Sequence, residues 1–163
     1  MAQHRSKLDV QAYAADIDDT RRVRVALIAG GTVRESMLRA ALEADGRRIL
    51  HEDLEPEEVL DALAGLAADV VVLDVPTGLG DDIAVIASIA AASEPTGVVV
   101  VLPRDHAELA VQALLAGATG VVWREACDGS LRNAVAAVAR GEAAVPGAVT
   151  MALVQRLRDA EAG

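Results

Sequence analysis

Asp69-Val70-Val71-Val72-Leu73-Asp74 is an almost unbroken apolar run that ends on a carboxylate. A strand with one wet face would alternate apolar and polar residues. This run does not, so it reads as a strand buried on both faces of a parallel sheet. Val98 to Leu102 repeats the pattern and is stopped by Pro103. Val121 to Trp123 is a shorter third example. Upstream, Val23 to Ile28 is an apolar run with β-branched residues, closed by Gly30-Gly31. Arg48 to Glu52 is a weaker strand.

Helical spacing fills the gaps between these runs. Thr32-Val33-Arg34-Glu35 has the capping-box pattern and opens a helix that runs to Asp45-Gly46. Val33, Met37, Ala40 and Ala41 are expected on its buried face. Glu55-Pro56 opens a second helix with Val59, Leu60, Leu63 and Leu66 as its stripe. Gly78 to Asp82 reads as a loop. Ile83, Ile86, Ile89 and Ala90 mark a third helix that ends before Pro95. Asp105-His106-Ala107-Glu108 is a second capping box, for a helix carrying Ala107, Ala110, Val111 and Leu114 and ending at Gly117. Ser130 is expected to cap a fifth helix, with Leu131, Ala134, Val135 and Val138 inward and an end near Gly141. The pattern is β-α five times over without a hairpin signal. It predicts an α/β fold with right-handed crossovers and a parallel sheet covered by helices on both faces.

Two flanks lie outside the repeats. In the tail, residues 1–21, Val10, Tyr13, Ala14 and Ile17 have helical spacing, and a disordered tail fits them equally well. The repeats occupy residues 22–141. Residues 142–163 form a C-terminal linker helix that starts at Pro146, with Val149, Ala152, Leu153 and Leu157 on one side. That stripe needs a partner, either its own domain or a second chain.

Composition narrows the function. The 163 residues make one domain, and 53% hydrophobic content is enough for a core. A net charge of −10 weighs against contacts to nucleic-acid phosphates. Aromatic content of 1% excludes base-stacking platforms. A single cysteine, Cys127, excludes an internal disulfide and points to the cytoplasm. His4, His51 and His106 have no zinc-ligand spacing with it. Met1 to Asp19 contains no signal-like apolar run. The apolar runs are strand-length, far below the ~20 residues of a membrane span.

In open α/β sheets, ligands bind beyond the carboxyl ends of the strands, where the strand order reverses. The residues there are Ile28 to Gly31, Asp74, Leu102-Pro103 and Trp123-Arg124. Asp74 is the one carboxylate that terminates a buried apolar strand, although Asp also ends strands as a turn former. Ala29-Gly30-Gly31-Thr32 precedes a helix N-terminus, which can bind anions, so a small α/β enzyme or nucleotide binder is one alternative. The segment is not G-x-G-x-x-G, and two glycines there also suit a plain tight turn.

Four segments in order carry a resemblance: Thr32 to Leu42, Ala68 to Asp74, Ala113 to Gly120, and Val138 to Pro146. From about Arg22 to Arg158 the chain resembles the receiver domain of response regulators, in the branch usually fused to a LuxR/NarL-type helix-turn-helix. The resemblance implies a flavodoxin-like (βα)5 receiver fold, with a central parallel five-stranded sheet plus a C-terminal helix. It implies a signalling role in transcription regulation rather than an enzyme.

By the same resemblance, Asp74 matches the phosphoacceptor. The family's magnesium-binding acidic pair falls on Ile28-Ala29 or Ala29-Gly30, which offer no side-chain oxygen. The hydroxyl residue after the fourth strand is Pro103, and the lysine after the fifth is Arg124, a planar fork rather than a point charge. The switch aromatic is Val121, and Pro76 follows Asp74 by two positions where the family's proline usually follows by four. The implied pocket is Ile28, Ala29, Gly30, Asp74, Pro103 and Arg124. Asp74 would be a vestigial acceptor there, with no catalytic residue, no metal and no cofactor.

Beside the enzyme or nucleotide-binder alternative, two signalling functions are weighed. One is an atypical receiver, or pseudo-receiver, that acts by dimerisation or by binding a ligand or partner without phosphorylation. The other is a conventional receiver phosphorylated on Asp74 by a sensor histidine kinase. Expected partners are a second copy of the chain, a sensor kinase, a small-molecule ligand or another regulatory protein. DNA would be reached only through a separate output domain, and no membrane is involved. Asp74 and Arg124 are expected to form a direct ion pair, because an unpaired charge at a buried strand end costs several kcal/mol. Trp123 is expected to fill the space left without metal.

Overall fold

Four apolar runs and the weaker segment Arg48–His51 line up side by side in the computed structural model. It describes residues 23–29, 32–43, 48–51, 61, 68–75, 80–92 and 97–163. The strands are β1 (Arg24–Ile28), β2 (Arg48–His51), β3 (Val70–Asp74), β4 (Gly97–Leu102) and β5 (Gly120–Trp123). They form one parallel sheet in the order β2-β1-β3-β4-β5. β3 lies at the centre and is buried at every position, as its unbroken apolar run requires. Strand order reverses between β1 and β3, so the crevice beyond their carboxyl ends is where a ligand site is expected.

The described helices are α1 (Thr32–Glu43), α2 (Gly80–Ala92), α3 (Ala107–Leu115), α4 (Cys127–Ala139) and α5 (Gly147–Ala162). A short 3₁₀ turn, Arg124–Ala126, leads from β5 into α4. Alternation along the strands divides the core in two. Ile28, Leu73, Leu102 and Trp123 face one side, together with Ile86 and Ile89 of α2 and Val111 of α3. Leu27, Ala29, Val72 and Val101 face the other, with Leu38 and Leu42 of α1 and Leu131 and Val135 of α4.

Local signals were uneven in accuracy. The inward stripe of α4 lies where its spacing predicts, with Leu131, Ala134, Val135 and Val138 buried. In α3, Ala110 and Val111 are buried, Ala107 and Leu114 are only partly so, and Ala113 is buried as well. The face of α1 differs. Leu38 and Leu42 go inward, Met37 stands 59% exposed and Ala40 is exposed. Two leucines remove more apolar area from water than Met37 with alanines, and four-residue spacing puts them on one face. The capping box at the start of α3 does not form. His106 is the residue before the helix and has no side-chain cap, while the Asp105 carboxylate meets His106 Nδ1 at 2.9 Å. Ser130 lies inside α4, because the 3₁₀ turn starts the helix at Cys127. α2 begins at Gly80, inside the stretch expected to be loop. The tail stripe, the stripe of the second predicted helix, Gly30 and Pro76 fall outside the described residues.

Gly117 shows why α3 must stop where it does. Its N–H donates to the Leu114 carbonyl and the Ala118 N–H to the Ala113 carbonyl, a paired C-terminal cap. Gly117 has φ +120, and a Cβ there would lie 2.6 Å from the Ala90 Cβ.

The C-terminal segment joins the same core. The Val121 N–H donates to the Ala144 carbonyl at 2.8 Å, and the Ala144 N–H to the Thr119 carbonyl at 3.0 Å, so Ala144 covers part of the β5 edge. α5 packs on α3, with Val149 fully buried and Ala152 and Leu153 partly so. Three of the four residues in its apolar stripe therefore find their partner in their own domain. Leu157 remains 66% exposed. Among the described residues, no helix is long and apolar enough to cross a membrane.

Candidate functional site

β3 delivers Asp74 to the carboxyl edge of the sheet, beside Val101 of β4 in register. Its side chain is 1% exposed. A carboxylate in so dry a place needs a counter-charge, and Arg124 supplies it. Arg124 is the first residue after β5 and begins the 3₁₀ turn, which bends its side chain back over the strand ends. Its Nη2 lies 2.7 Å from Asp74 Oδ1, a short charge-assisted hydrogen bond. The same Nη2 donates to the Val75 carbonyl at 2.9 Å. The guanidinium is thus held at two points, while its side chain remains 25% exposed.

The direct ion pair expected from the sequence is present. Its second anchor, the Val75 carbonyl, was not foreseen, since a main-chain oxygen leaves no mark in a sequence.

The other expected pocket residues divide by face. Ala29 is 3% exposed and belongs to the cluster on the α1 and α4 side. By alternation, Asp74 follows Val70 and Val72 on that side. Ile28 packs into the opposite cluster. Pro103 is buried directly after β4, and its carbonyl accepts from the His106 N–H at 3.1 Å. Gly30 lies outside the described residues. Trp123 is 8% exposed and joins the core on the face away from Asp74. It does not fill space beside the carboxylate, because alternation along the sheet puts it on the opposite face from Asp74, at the outer strand β5.

No protein-family model and no curated protein matches the sequence. Solved structures do resemble it. The isolated receiver domain of RcsB from Salmonella enterica serovar Typhimurium, in its apo form, superposes with a TM-score of 0.71 at 22% identity, over 81% of this chain and 98% of that one. A LuxR-family two-component response regulator from Aurantimonas sp. gives 0.69 at 20% identity, over 83% and 97%. The response regulator ChrA of a heme-sensing two-component system gives 0.66 at 27% identity, over 84% and 66%. The chain thus spans about two thirds of ChrA and of a longer RcsB structure, and nearly all of the isolated domains. The fold of this chain, with sheet order β2-β1-β3-β4-β5, is the flavodoxin-like fold of these receiver domains.

Proposed function

We propose that this chain is an atypical receiver, a signalling module that works without phosphorylation of Asp74. The observation that carries the reading is the 2.7 Å contact between Arg124 Nη2 and Asp74 Oδ1. Phosphoryl transfer to a carboxylate needs the developing charge neutralised by metal and positioned donors. Magnesium does not fit the residues present. It is held through carboxylates and water in strict octahedral geometry, and Asp74 is a single carboxylate already engaged by a cation. Ala29 brings no oxygen to the end of β1, and Pro103 brings no donor to the end of β4. Among the described residues, no three His, Cys, Asp or Glu side chains gather to hold a metal.

The test is a magnesium titration with beryllofluoride, followed by amide NMR. The expected outcome is no saturable, magnesium-dependent shift around Asp74 at sub-millimolar metal. Such a shift would mean a conventional receiver addressed by a sensor kinase.

In this reading the output is association. A second copy is the proposed partner, through the apolar side chains that α3 and α5 leave exposed: Leu115, Met151 and Leu157. Light scattering at micromolar concentration should give a dimer mass that Met151→Asp with Leu157→Asp reduces to a monomer. A monomer in the unmodified protein would remove the association half of the proposal. Any contact with DNA would need an output domain elsewhere.

A further inference from the structure

A groove of about 740 Å³ runs along the outer edge of β5, between α4 and the segment before α5. Its volume is within the ordinary range of small-molecule sites, roughly 300–1,000 Å³. Ser130 in α4 and Arg140 directly after it lie ten residues apart, so the groove is about 15 Å long. Val121, Trp123, Ala134 and Val145 contribute apolar side chains to its lining. Its polar side chains are Arg104, Ser130, Asn133 and Arg140. No Asp or Glu lines it, in a chain whose net charge is −10.

The two arginines are not equivalent. Arg140 is already neutralised by Glu142, with bonds of 3.3 Å from Nε and 3.0 Å from Nη2. Arg104 touches an acid only through its main chain, whose N–H donates to the Glu125 carboxylate at 3.1 and 3.3 Å. Among the described residues, no ion pair involves the Arg104 guanidinium. A groove of mixed polar and apolar lining therefore carries a cation with no ion pair among the described residues, with Ser130 and Asn133 available to fix orientation.

We propose that this groove binds a small organic anion with an apolar body, its charge held by Arg104 and its body laid against Trp123 and Val145. The site is separate from Asp74 and does not rest on that residue's chemistry. It gives the module a place to receive a chemical signal.

Trp123 is the only tryptophan in the chain and lines the groove from the core, so its emission reports changes at that position. The probe is octanoate, a flexible apolar carboxylate that the groove can contain. Octanoate should change Trp123 emission saturably in the millimolar range. Arg104→Gln should weaken binding about tenfold, the usual worth of one charged hydrogen bond. The Glu125 contact survives that change because it is made by the main chain. Ala143→Phe, at an exposed lining position, should fill the groove and abolish binding in a protein with unchanged circular dichroism. Arg156→Gln, which removes a cation on α5 away from the groove, should bind as the unmodified protein does. No saturable change in the folded protein would overturn the proposal. Equal binding of 1-octanol, or no loss in Arg104→Gln, would overturn it too.

Discussion

Two of the arginine–acid pairs among the described residues could hardly differ more. At the carboxyl ends of the strands, Arg124 meets an Asp74 side chain that is 1% exposed. Beside β5, Arg140 meets Glu142 where both side chains are 59% exposed. The two contacts are similar in length, 2.7 and 3.0 Å. Their physics is not. Water solvates the second pair whether or not it forms, so the contact adds little. At the first site the carboxylate has no water to return to, and the partner is obligatory. Distance alone says nothing about which pair the fold depends on. Burial decides it.

The sharpest way to break this comparison is to remove each cation in turn. Arg124→Met should cost about 2–4 kcal/mol, less than a wholly buried pair because the guanidinium reaches solvent. Urea unfolding at neutral pH would measure it. Arg140→Gln should lower the midpoint of the same curve only slightly, because both groups are solvated with or without the contact. Equal losses would mean that the Asp74 site is wetter than its geometry implies.

The next effect concerns the acid. Asp74→Asn should cost about 1–2 kcal/mol, less than losing Arg124, since the remaining guanidinium can turn toward water. A double-mutant cycle of the two changes should show strong coupling, because each single variant already breaks the same contact. Additive losses would mean that the two residues act on stability separately.

A third variant sharpens the comparison by rebuilding what the site lacks. Ala29→Asp, Pro103→Thr and Arg124→Lys together place a second carboxylate, a hydroxyl and a compact ammonium around Asp74. Magnesium should then raise the melting temperature, because two carboxylates in a dry site repel until a cation binds. The unmodified protein should show no such rise. A rise in both would contradict the reading of the site.

The smallest effect is on the acid limb. The Arg140 guanidinium, by hydrogen bond and then by charge, holds the Glu142 carboxyl below its usual value. A carboxyl depressed in the folded state contributes stability above its unfolded value and loses it as pH falls through the folded one. Arg140→Gln should therefore flatten the stability curve slightly between about pH 5 and pH 3, and nowhere else. The Asp105 carboxyl, held down chiefly by its hydrogen bond to His106, should keep its share of the same limb in that variant.

The architecture was legible because it rests on local chemistry. Unbroken apolar runs such as Val70 to Leu73 read as strands covered on both faces of a parallel sheet, and the helical stripes between them supply the cover. The place of Asp74 followed from its position at the end of one run. Its need for Arg124 followed from the cost of burying a charge. Three things were decided only in three dimensions. The Val75 carbonyl became a second anchor because the turn after β5 folds Arg124 back across the strand ends. Trp123 went to the far face because side chains alternate along a strand, and its phase in the sheet sets which face it meets. The apolar stripe after Pro146 found its partner on α3, 40 residues away by the Val149–Leu109 spacing. A sequence shows that such a stripe must be covered. Which surface covers it depends on how the chain returns, because burial is a property of neighbours brought together by the whole fold.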